Sequence, residues 1–502
     1  MPVTRTFAVD LGASGGKCFI GEFSSKGFKL NEIHRFTHDT ADIYIPDRIG
    51  KLIQRTYWDD LFLYQNIIKG LKRYRREVSS NLDSVGIDTW GTDGQFINKD
   101  GDMISKVYCY RDHRLDNMIK KISKKIERKR IYEITGIHFQ PFNISNQLLW
   151  FVENRDYMLN LDLKFLPMPT IFYYFLGGKI GIDSTWASVT QLMDAREKRW
   201  SDEVMDALGI PKSIMPEIVE PGTELGRISE PLAEDIKLNN AKLIAVGSHD
   251  TASAFAAAPV KDINNALIIS SGTWSLIGKL VPEPLTNDKV MEYNLSNEGG
   301  IGNIRLLKNC MGTWIIQELL RRWADEDGRM MNWDEVLNLA EKAKPFTAFI
   351  DPDYSGFYNP HNMEEEIIAF CKKNGQNPPG DRGTMIRTVY ESLAMKYRLV
   401  SEELEEVTGN KNEVLHIVGG GSKNEVLNQF AANATGLKVY AGPDEATASG
   451  NCMVQAFGLG IIDNMGETRE LINSAFEIRE YEPQDQEDWN RAYGRFKKIC
   501  KV

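Results

Sequence analysis

Short apolar runs alternate with polar turns along the first half of the chain. TFAVD (6–10) and CFIGEF (18–23) have the pattern of buried strands, and the glycine- and serine-rich residues between them predict a hairpin. The stretch 58–78 has the pattern of a helix, and 84–98 has that of a strand, a turn and a second strand. Strands and helices in alternation predict the α/β fold class.

The hairpin layout recurs near the middle of the chain. ALIISSGTWSLIGKL (266–280) is again an apolar strand, a tip of small residues and an apolar strand. Two such hairpins predict a duplicated α/β domain with a cleft between the copies, although unrelated hairpins with small tips are an equally open interpretation. A third glycine-rich turn, 419–421, lies between an apolar strand (415–418) and a predicted helix. Three such turns after apolar strands indicate a nucleotide-binding protein.

Domain boundaries follow from the same pattern. A region rich in proline and glycine at 216–231 predicts a loop or short strands that lead toward a domain junction. We predict an N-terminal domain over 1–245, a C-terminal domain over 246–465 and a helical tail over 466–502 that packs back on the domains. A chain of 502 residues is long enough for two domains, because single cores stop growing well below that size.

Composition narrows the range of partners. The chain is 42% hydrophobic and 26% charged, and its formal charge of −10 argues against nucleic acid as the main partner. The basic stretch 120–130 places its isoleucines at helical spacing, which predicts a helix with a solvated basic face. Six cysteines stand singly, so we expect a reducing compartment and no zinc site. Because we find neither a charged-then-apolar leader nor a membrane-spanning apolar run, we expect a cytoplasmic protein without a membrane partner. We also expect a monomer or a homodimer.

DLGASGGK (10–17) has the composition of a phosphate-binding loop but not its pattern. A P-loop has four residues between its first glycine and Gly-Lys, and a hydroxyl residue then binds magnesium. Here three residues separate Gly12 from Gly16, Cys18 replaces the hydroxyl residue, and a strand follows instead of a helix. The stretch is therefore predicted to be a hairpin tip, whose glycines would let N–H groups approach a phosphate and whose Lys17 adds charge. A plain glycine-rich turn is the alternative.

Two aspartates are candidates for the chemistry of the protein. Asp250 lies between a predicted strand and a predicted helix, where it could cap the helix or accept a proton from a substrate hydroxyl. The residues alone leave these two roles equally open. Asp10 ends the first predicted strand. Its carboxylate would repel a bound polyphosphate unless a magnesium ion lay between them, so one possible role is to bind magnesium. The alternative is that Asp10 only initiates a turn.

Motifs spread over residues 5–460 resemble those of the FGGY carbohydrate kinases in order and spacing. They are VDLGAS with Lys17, EIHRF, VGIDTWGTD, YRDHR, IYEITGIHFQPFN, SHDTASA, SSGTWSLIG, NLSNEGG, RLLKNCMGTWIIQ, LHIVGGGSKN and GPDEATASGN.

The resemblance implies a fold of two actin-like, ribonuclease-H-like domains with an interdomain catalytic cleft. It also implies transfer of the γ-phosphate of ATP to a ketose hydroxyl, at C1, with Mg²⁺ held at Asp10 through water. Asp250 would be the proton acceptor. The other residues implied on the sugar side are Gly91, Arg111, His249, Thr251 and Asn309. Those implied on the nucleotide side are Ala13, Ser14, Gly15, Gly16, Lys17, Thr273, Gln317 and Gly420.

The chain departs from the family pattern at TDGQFIN (92–98), where large apolar residues are usual. Gly94 and Gln95 replace them, and the Gln95 amide could hydrogen-bond a sugar hydroxyl. The expected ketose is L-rhamnulose or a close relative, and this departure leaves L-fuculose, xylulose and ribulose open. A non-catalytic sugar or nucleotide sensor is a further alternative, against which the retained Asp10 and Asp250 argue. A mechanical ATPase would have no use for the sugar-side motifs.

Overall fold

The computed structural model describes residues 3–47, 49–159, 161–358 and 360–501. These residues form two compact units. Unit 1 contains the chain up to Ala257 together with Val281–Leu306 and Thr447–Ala475, and unit 2 contains Ala258–Leu280, Leu307–Ala446 and the chain from Phe476 onward. The units differ from the contiguous domains that we predicted, because two later segments pack into unit 1. The domain boundaries that we placed after residues 245 and 465 stay predictions.

The strands and helices of the described residues are numbered in chain order. The strands are β1 (Thr4–Gly12), β2 (Gly15–Ser24), β3 (Gly27–Thr37), β4 (Ala41–Pro46), β5 (Leu52–Tyr57), β6 (Ser84–Thr89), β7 (Gly94–Asn98), β8 (Leu163–Pro167), β9 (Gly181–Asp183), β10 (Met193–Asp194), β11 (Arg199–Trp200), β12 (Glu217–Val219), β13 (Glu224–Arg227), β14 (Lys242–Ile244), β15 (Ala266–Ser271), β16 (Trp274–Val281), β17 (Ser296–Gly299), β18 (Ile304–Met311), β19 (Val414–Val418), β20 (Lys438–Ala441) and β21 (Arg479–Tyr481). The helices are α1 (Asp60–Glu77), α2 (Met118–Ile122), α3 (Arg128–Thr135), α4 (Ile144–Asn154), α5 (Asp156–Leu159), α6 (Met168–Leu176), α7 (Ser184–Val189), α8 (Asp202–Leu208), α9 (Glu230–Ile236), α10 (Asp250–Ala256), α11 (Asp288–Glu292), α12 (Trp314–Asp327), α13 (Trp333–Lys342), α14 (Met363–Lys373), α15 (Arg382–Thr408), α16 (Glu425–Thr435), α17 (Ala446–Gly458), α18 (Thr468–Ala475) and α19 (Gln486–Cys500).

The central sheet of unit 1 has the strand order β13-β14-β6-β1-β2-β3. β1 pairs antiparallel with β2, which confirms the predicted opening hairpin, and it pairs parallel with β6. Phe7 and Val9 of β1 are fully buried, and burying a side chain of this size stabilises the fold by about 1.5–3 kcal/mol. The register places Asp10 beside Lys17 of β2 and beside Asp88 of β6.

Helix α1 confirms the helix that we predicted over the stretch 58–78. Its buried residues Leu63, Ile67 and Leu71 recur every four positions and so form one apolar stripe. The helix approaches the sheet closely at Gly70, where an added Cβ would lie 2.9 Å from the Cys18 sulfur.

In unit 2, the strand order is β18-β16-β15-β19-β20-β21. β15 and β16 are antiparallel, as predicted, and β19 is parallel to β15. The predicted strand, glycine turn and helix near residue 420 are β19, a 3₁₀ turn (Gly420–Lys423) and α16. Unit 2 therefore contains a strand–tip–strand hairpin and a glycine-rich turn at the ends of neighbouring parallel strands.

One predicted helix is wrong in its extent. The basic stretch 120–130 does not form a continuous helix, because α2 ends at Ile122 and α3 begins at Arg128. The hydroxyl of Ser123 bonds to the carbonyl of Ile119, which is typical of serine near a helix end. Among the described residues, no helix combines the length and the apolar character needed to cross a membrane.

Candidate functional site

The first hairpin presents its two-residue tip, Ala13 and Ser14, to solvent. The two glycines that follow are required by packing, because an added Cβ at Gly15 would lie 2.8 Å from the carbonyl oxygen of Phe36 and one at Gly16 would overlap the Phe36 ring. His38 supports the base of the tip: its Nε2 lies 2.8 Å from the Gly12 carbonyl oxygen. The glycines therefore have a structural role, and their predicted role toward phosphates stays a prediction.

The carboxylates of Asp10 and Asp88 belong to paired residues near the ends of β1 and β6. Asp88 is fully buried and accepts a hydrogen bond of 2.6 Å from Asn451 of α17, while its Oδ1 has no hydrogen-bond partner among the described residues. Burial raises the pKa of the Asp88 carboxyl well above its usual range, and the charges of Asp10 and Asp250 raise it further. Asp10, Asp88 and Asp250 are therefore close enough in unit 1 to interact electrostatically.

Asp250 is the first residue of α10, and His249 precedes it at the N-cap. The carboxylate of Asp250 accepts a 2.6 Å hydrogen bond from the Thr251 N–H, and about a third (31%) of its side chain remains exposed. Of the two roles we considered, a helix cap in the strict sense does not apply, because the cap position belongs to His249. The structure leaves a partly exposed carboxylate at a helix N-terminus, where negative charge is favoured.

The imidazole of His249 lies between Asp250 and a buried ion pair. Its Nε2 is 3.5 Å from Asp250 Oδ1, and an added Cβ at Gly91 would lie 2.8 Å from the same nitrogen. Its Nδ1 lies 3.2 Å from Arg305 Nη2 and 3.4 Å from Glu298 Oε2. Burial would raise the pKa of Glu298, but the positive charge of Arg305 is the largest opposing effect, and the pKa is held at about 2. Unit 1 thus brings together four predicted sugar-side residues, Gly91, His249, Asp250 and Thr251.

A second buried carboxylate, Asp93, organises the aromatic side chains around the start of β7. Its Oδ2 accepts hydrogen bonds from the indole N–H groups of Trp58 (2.7 Å) and Trp90 (3.1 Å) and from the backbone N–H of Tyr110 (3.2 Å), and its Oδ1 accepts one from Gln147 (2.9 Å). Burial raises the pKa of Asp93 to about 6, against the lowering effect of these hydrogen bonds.

Asp93→Asn is expected to change the pH dependence of stability. The unfolded carboxyl titrates near 3.8 and the folded one near 6, so the folded state holds this proton more tightly. Ionisation of Asp93 therefore lowers the wild-type free energy of unfolding by about 3 kcal/mol as pH rises from about 4 to about 6. The variant lacks this decrease. Urea unfolding at a series of pH values measures this change in the free energy of unfolding. Asp100→Asn, at an exposed turn, is the control, and its pH dependence of stability should run parallel to that of wild type.

The two remaining predicted sugar-side residues of unit 1 have other neighbours. Gln95 is 1% exposed, and its amide donates to Asp60 Oδ2 at 3.4 Å. Arg111 is exposed and its guanidinium lies 5.3 Å from the ring centroid of Tyr110. Contact of either side chain with a sugar stays a prediction.

In unit 2, the tip of the second hairpin packs on the N-terminus of α12. The Thr313 hydroxyl donates to the Gly272 carbonyl (2.8 Å) and accepts from the Gln317 amide (3.3 Å), while the Thr273 carbonyl accepts from the N–H of Gly312 (3.1 Å). The predicted nucleotide-side residues Thr273 and Gln317 are thereby brought together. Asn309 lies half-buried in β18, just before this segment.

The glycine-rich turn of unit 2 packs on the same hairpin. An added Cβ at Gly421 would overlap the Ser271 hydroxyl, and Gly419 has a φ of 82°, which favours glycine. Gly420 is different, because an added Cβ there would have no atom within 4 Å. The turn therefore leaves open space at Gly420.

The donor set of unit 1 suits a magnesium ion bound mainly by water and phosphate oxygens. Within the part of the chain that the structure describes, no group of three or more His, Cys, Asp or Glu side chains is placed to hold a metal ion. Magnesium commonly takes one or two carboxylates plus waters and substrate phosphates. A single ligand at Asp10, beside the unsatisfied Asp88 oxygen, fits that preference.

Sequence reasoning missed Asp88, Glu298 and Arg305. Asp88 could have been found, because VGID and AVD end in Asp and parallel strands bring such ends to one edge of a sheet. Glu298 and Arg305 lie in recognised motifs, but neither spacing nor composition assigns them to His249.

Models of the FGGY family of carbohydrate kinases match the chain over 8–256 (N-terminal domain) and 267–459 (C-terminal domain). The chain belongs to this family. Membership implies a nucleotide as the phosphate donor and a divalent metal ion.

Particular relatives narrow the class further. The chain is 39% identical to a rhamnulokinase of Bacteroides thetaiotaomicron over 98% of both chains, and 35% identical to a rhamnulokinase of Bacillus subtilis over 95% of both. Its fold is similar to that of a xylulose kinase from Lactobacillus acidophilus (TM-score 0.78, 15% identity, 99% and 98% of the chains covered). A Plasmodium falciparum glycerol kinase with ADP is similar to the same degree (TM-score 0.77, 16% identity, 99% and 98% covered). The two structures support the α/β two-domain fold.

Proposed function

We propose that the protein phosphorylates L-rhamnulose at C1, with ATP as donor and Mg²⁺ as the metal ion. The observation that carries this proposal is the partly exposed Asp250 carboxylate at the start of α10, beside His249, in a chain 33–39% identical to several rhamnulokinases. Phosphoryl transfer requires mainly a positioned base and stabilised phosphate charge.

In the proposed reaction, the residues of unit 1 hold the sugar and accept its proton. Asp250 accepts the proton of the C1 hydroxyl as that oxygen attacks the γ-phosphorus, and the bond from the γ-phosphorus to ADP breaks. His249 orients the sugar beside this base, and Lys17 adds positive charge near the phosphates. Asp10 would hold Mg²⁺ through water, and the ion would supply further positive charge that offsets the phosphate charge.

Purified protein with ATP and Mg²⁺, assayed for ADP release on a panel of ketoses, tests the proposal. We expect the highest kcat/KM with L-rhamnulose. A higher value with L-fuculose, xylulose or ribulose would retain the kinase and change the substrate. Tight sugar binding by calorimetry without ADP release on any sugar would instead favour a sensor.

Gly420→Leu is expected to raise the KM for ATP by about tenfold or more, because its side chain would fill the open space in the proposed nucleotide site. The KM for the ketose should stay within about twofold. Steady-state kinetics measure both constants. Gly380→Leu is the matched control, since Gly380 is also exposed in unit 2 and an added Cβ there meets no atom within 4 Å. Equal effects of the two substitutions would contradict the assignment of Gly420.

A further inference from the structure

Glu298 and Arg305 form a buried ion pair on the adjacent strands β17 and β18. Arg305 Nη2 lies 3.2 Å from Glu298 Oε2, and both side chains are at most 1% exposed. The Arg305 Nε–H also donates to the Gly299 carbonyl at 2.8 Å, which fixes the plane of the guanidinium. A buried ion pair is weak evidence for stability, because desolvation of two charges offsets much of their attraction. The pair also contacts the imidazole of His249.

Both charged groups point to one nitrogen of His249. Arg305 Nη2 is placed to donate a hydrogen bond to Nδ1 at 3.2 Å. Glu298 Oε2 is 3.4 Å from the same nitrogen, but no aligned hydrogen-bond donor reaches that oxygen from any described residue. A guanidinium offers only donors, so a neutral imidazole that receives it at Nδ1 must have its proton on Nε2.

We infer that Arg305 holds His249 as the neutral tautomer with the proton on Nε2, and that Glu298 holds Arg305 in place. The Nε2–H then lies beside Gly91, and Nε2 is 3.5 Å from Asp250 Oδ1. His249 is thus a hydrogen-bond donor on the side of the predicted base. The Nε2–H of His249 is placed to donate a hydrogen bond to an oxygen of the ketose. This part of the inference rests on the proposed function. Arg305 is a positioning residue, because it acts through His249.

Nitrogen-15 NMR of the histidine side chains reads the tautomer without any assay of activity. The chain has seven histidines, and the signal lost in His249→Gln assigns the one in question. We expect an acceptor-type shift for Nδ1 and a proton-bearing shift for Nε2 at neutral pH. A proton on Nδ1, or on both nitrogens, would overturn the inference.

Two variants separate the role of Arg305 from that of Glu298. In Glu298→Gln an amide of similar shape still lies beside Arg305, and the Gly299 carbonyl still accepts from the Arg305 Nε–H, so we expect the wild-type tautomer and a ketose KM within about threefold of wild type. The double variant Arg305→Met/Glu298→Gln removes both charges without leaving one buried alone. It should lose the fixed tautomer and raise the ketose KM by about tenfold, the effect of one hydrogen bond to a substrate, while the KM for ATP changes less than about twofold.

A second ion pair, with a partly buried arginine and a buried glutamate, provides the control for general destabilisation. Arg387 and Glu391 lie within α15 of unit 2, with Nε and Oε1 2.7 Å apart. Arg387→Met/Glu391→Gln should leave both the His249 signals and the ketose KM unchanged. An altered tautomer in Glu298→Gln, or an unaltered one in the first double variant, would overturn the role of Arg305. If no ketose is phosphorylated by the wild type, the proposed function fails, whereas the NMR result still decides the tautomer.

Discussion

Asp250→Asn is expected to lower kcat for ketose-dependent ADP release by about 100- to 10,000-fold, the usual contribution of a positioned general base. The amide has nearly the same shape and can still accept the hydrogen bond from the Thr251 N–H, so α10 should form normally. Because the substitution removes the proton acceptor and leaves the sugar pocket in place, we expect the Kd for the ketose by calorimetry to stay within about threefold.

Asp202→Asn is the matched control for this substitution. Asp202 is likewise the first residue of a helix in unit 1, α8, and it is exposed. Its substitution should leave kcat unchanged. Ketose-dependent release that is the same in Asp250→Asn as in wild type would refute the assignment of the base while retaining the kinase.

Gly450→Ala is expected to destabilise unit 1 by about 1–3 kcal/mol or more, the usual cost of overpacking a core. Gly450 lies in α17 where that helix contacts α10, and an added Cβ would overlap the carbonyl oxygen of Ser253. A backbone atom cannot rotate away as a flexible side chain can, so one of the two helices must shift. Since Asp250 begins α10, we expect activity to fall together with the urea midpoint of unfolding.

Gly494→Ala provides the comparison for Gly450→Ala. Gly494 is an exposed residue within α19, and an added Cβ there meets no atom within 4 Å. Alanine is the better helix former by roughly 0.5–1 kcal/mol, so this variant should unfold at the same or a slightly higher urea concentration. A Gly450→Ala protein as stable as wild type would show that the contact between α17 and α10 is looser than the structure has it.

The chain pattern was sufficient for much of the fold. The hairpin β1–β2, helix α1 and the strand–turn–helix unit around Gly420 were predicted, because each depends on apolar periodicity and glycine positions within about twenty residues. The prediction of a continuous helix over the basic stretch 120–130 was wrong because it relied on the same local periodicity. Periodicity reports which face is apolar, but it does not report where the chain turns.

The sequence placed His249 and Asp250 next to each other because they lie in one continuous motif, while their roles stay predictions. The metal and phosphate contacts that the resemblance implies for Asp10, Lys17 and Thr273 stay predictions. The cytoplasmic location also stays a prediction. The glycines of the first hairpin illustrate the limit of such reasoning. We predicted them for phosphate approach, whereas Gly15 and Gly16 are also required by contact with Phe36, twenty residues further along the chain.

The sequence by itself determined the fold class, the first and second hairpins and the family, because local periodicity and ordered motifs are properties of the chain alone. Only the tertiary structure decided that Arg305 and Glu298 meet at His249, and that Asp88 lies beside Asp10 with Asn451 bonded to it. These contacts join residues about 50 to 360 positions apart, and they form because strand pairing and helix packing bring distant segments of the chain together. Burial then sets their chemistry, since a charged group removed from water needs a partner to remain ionised.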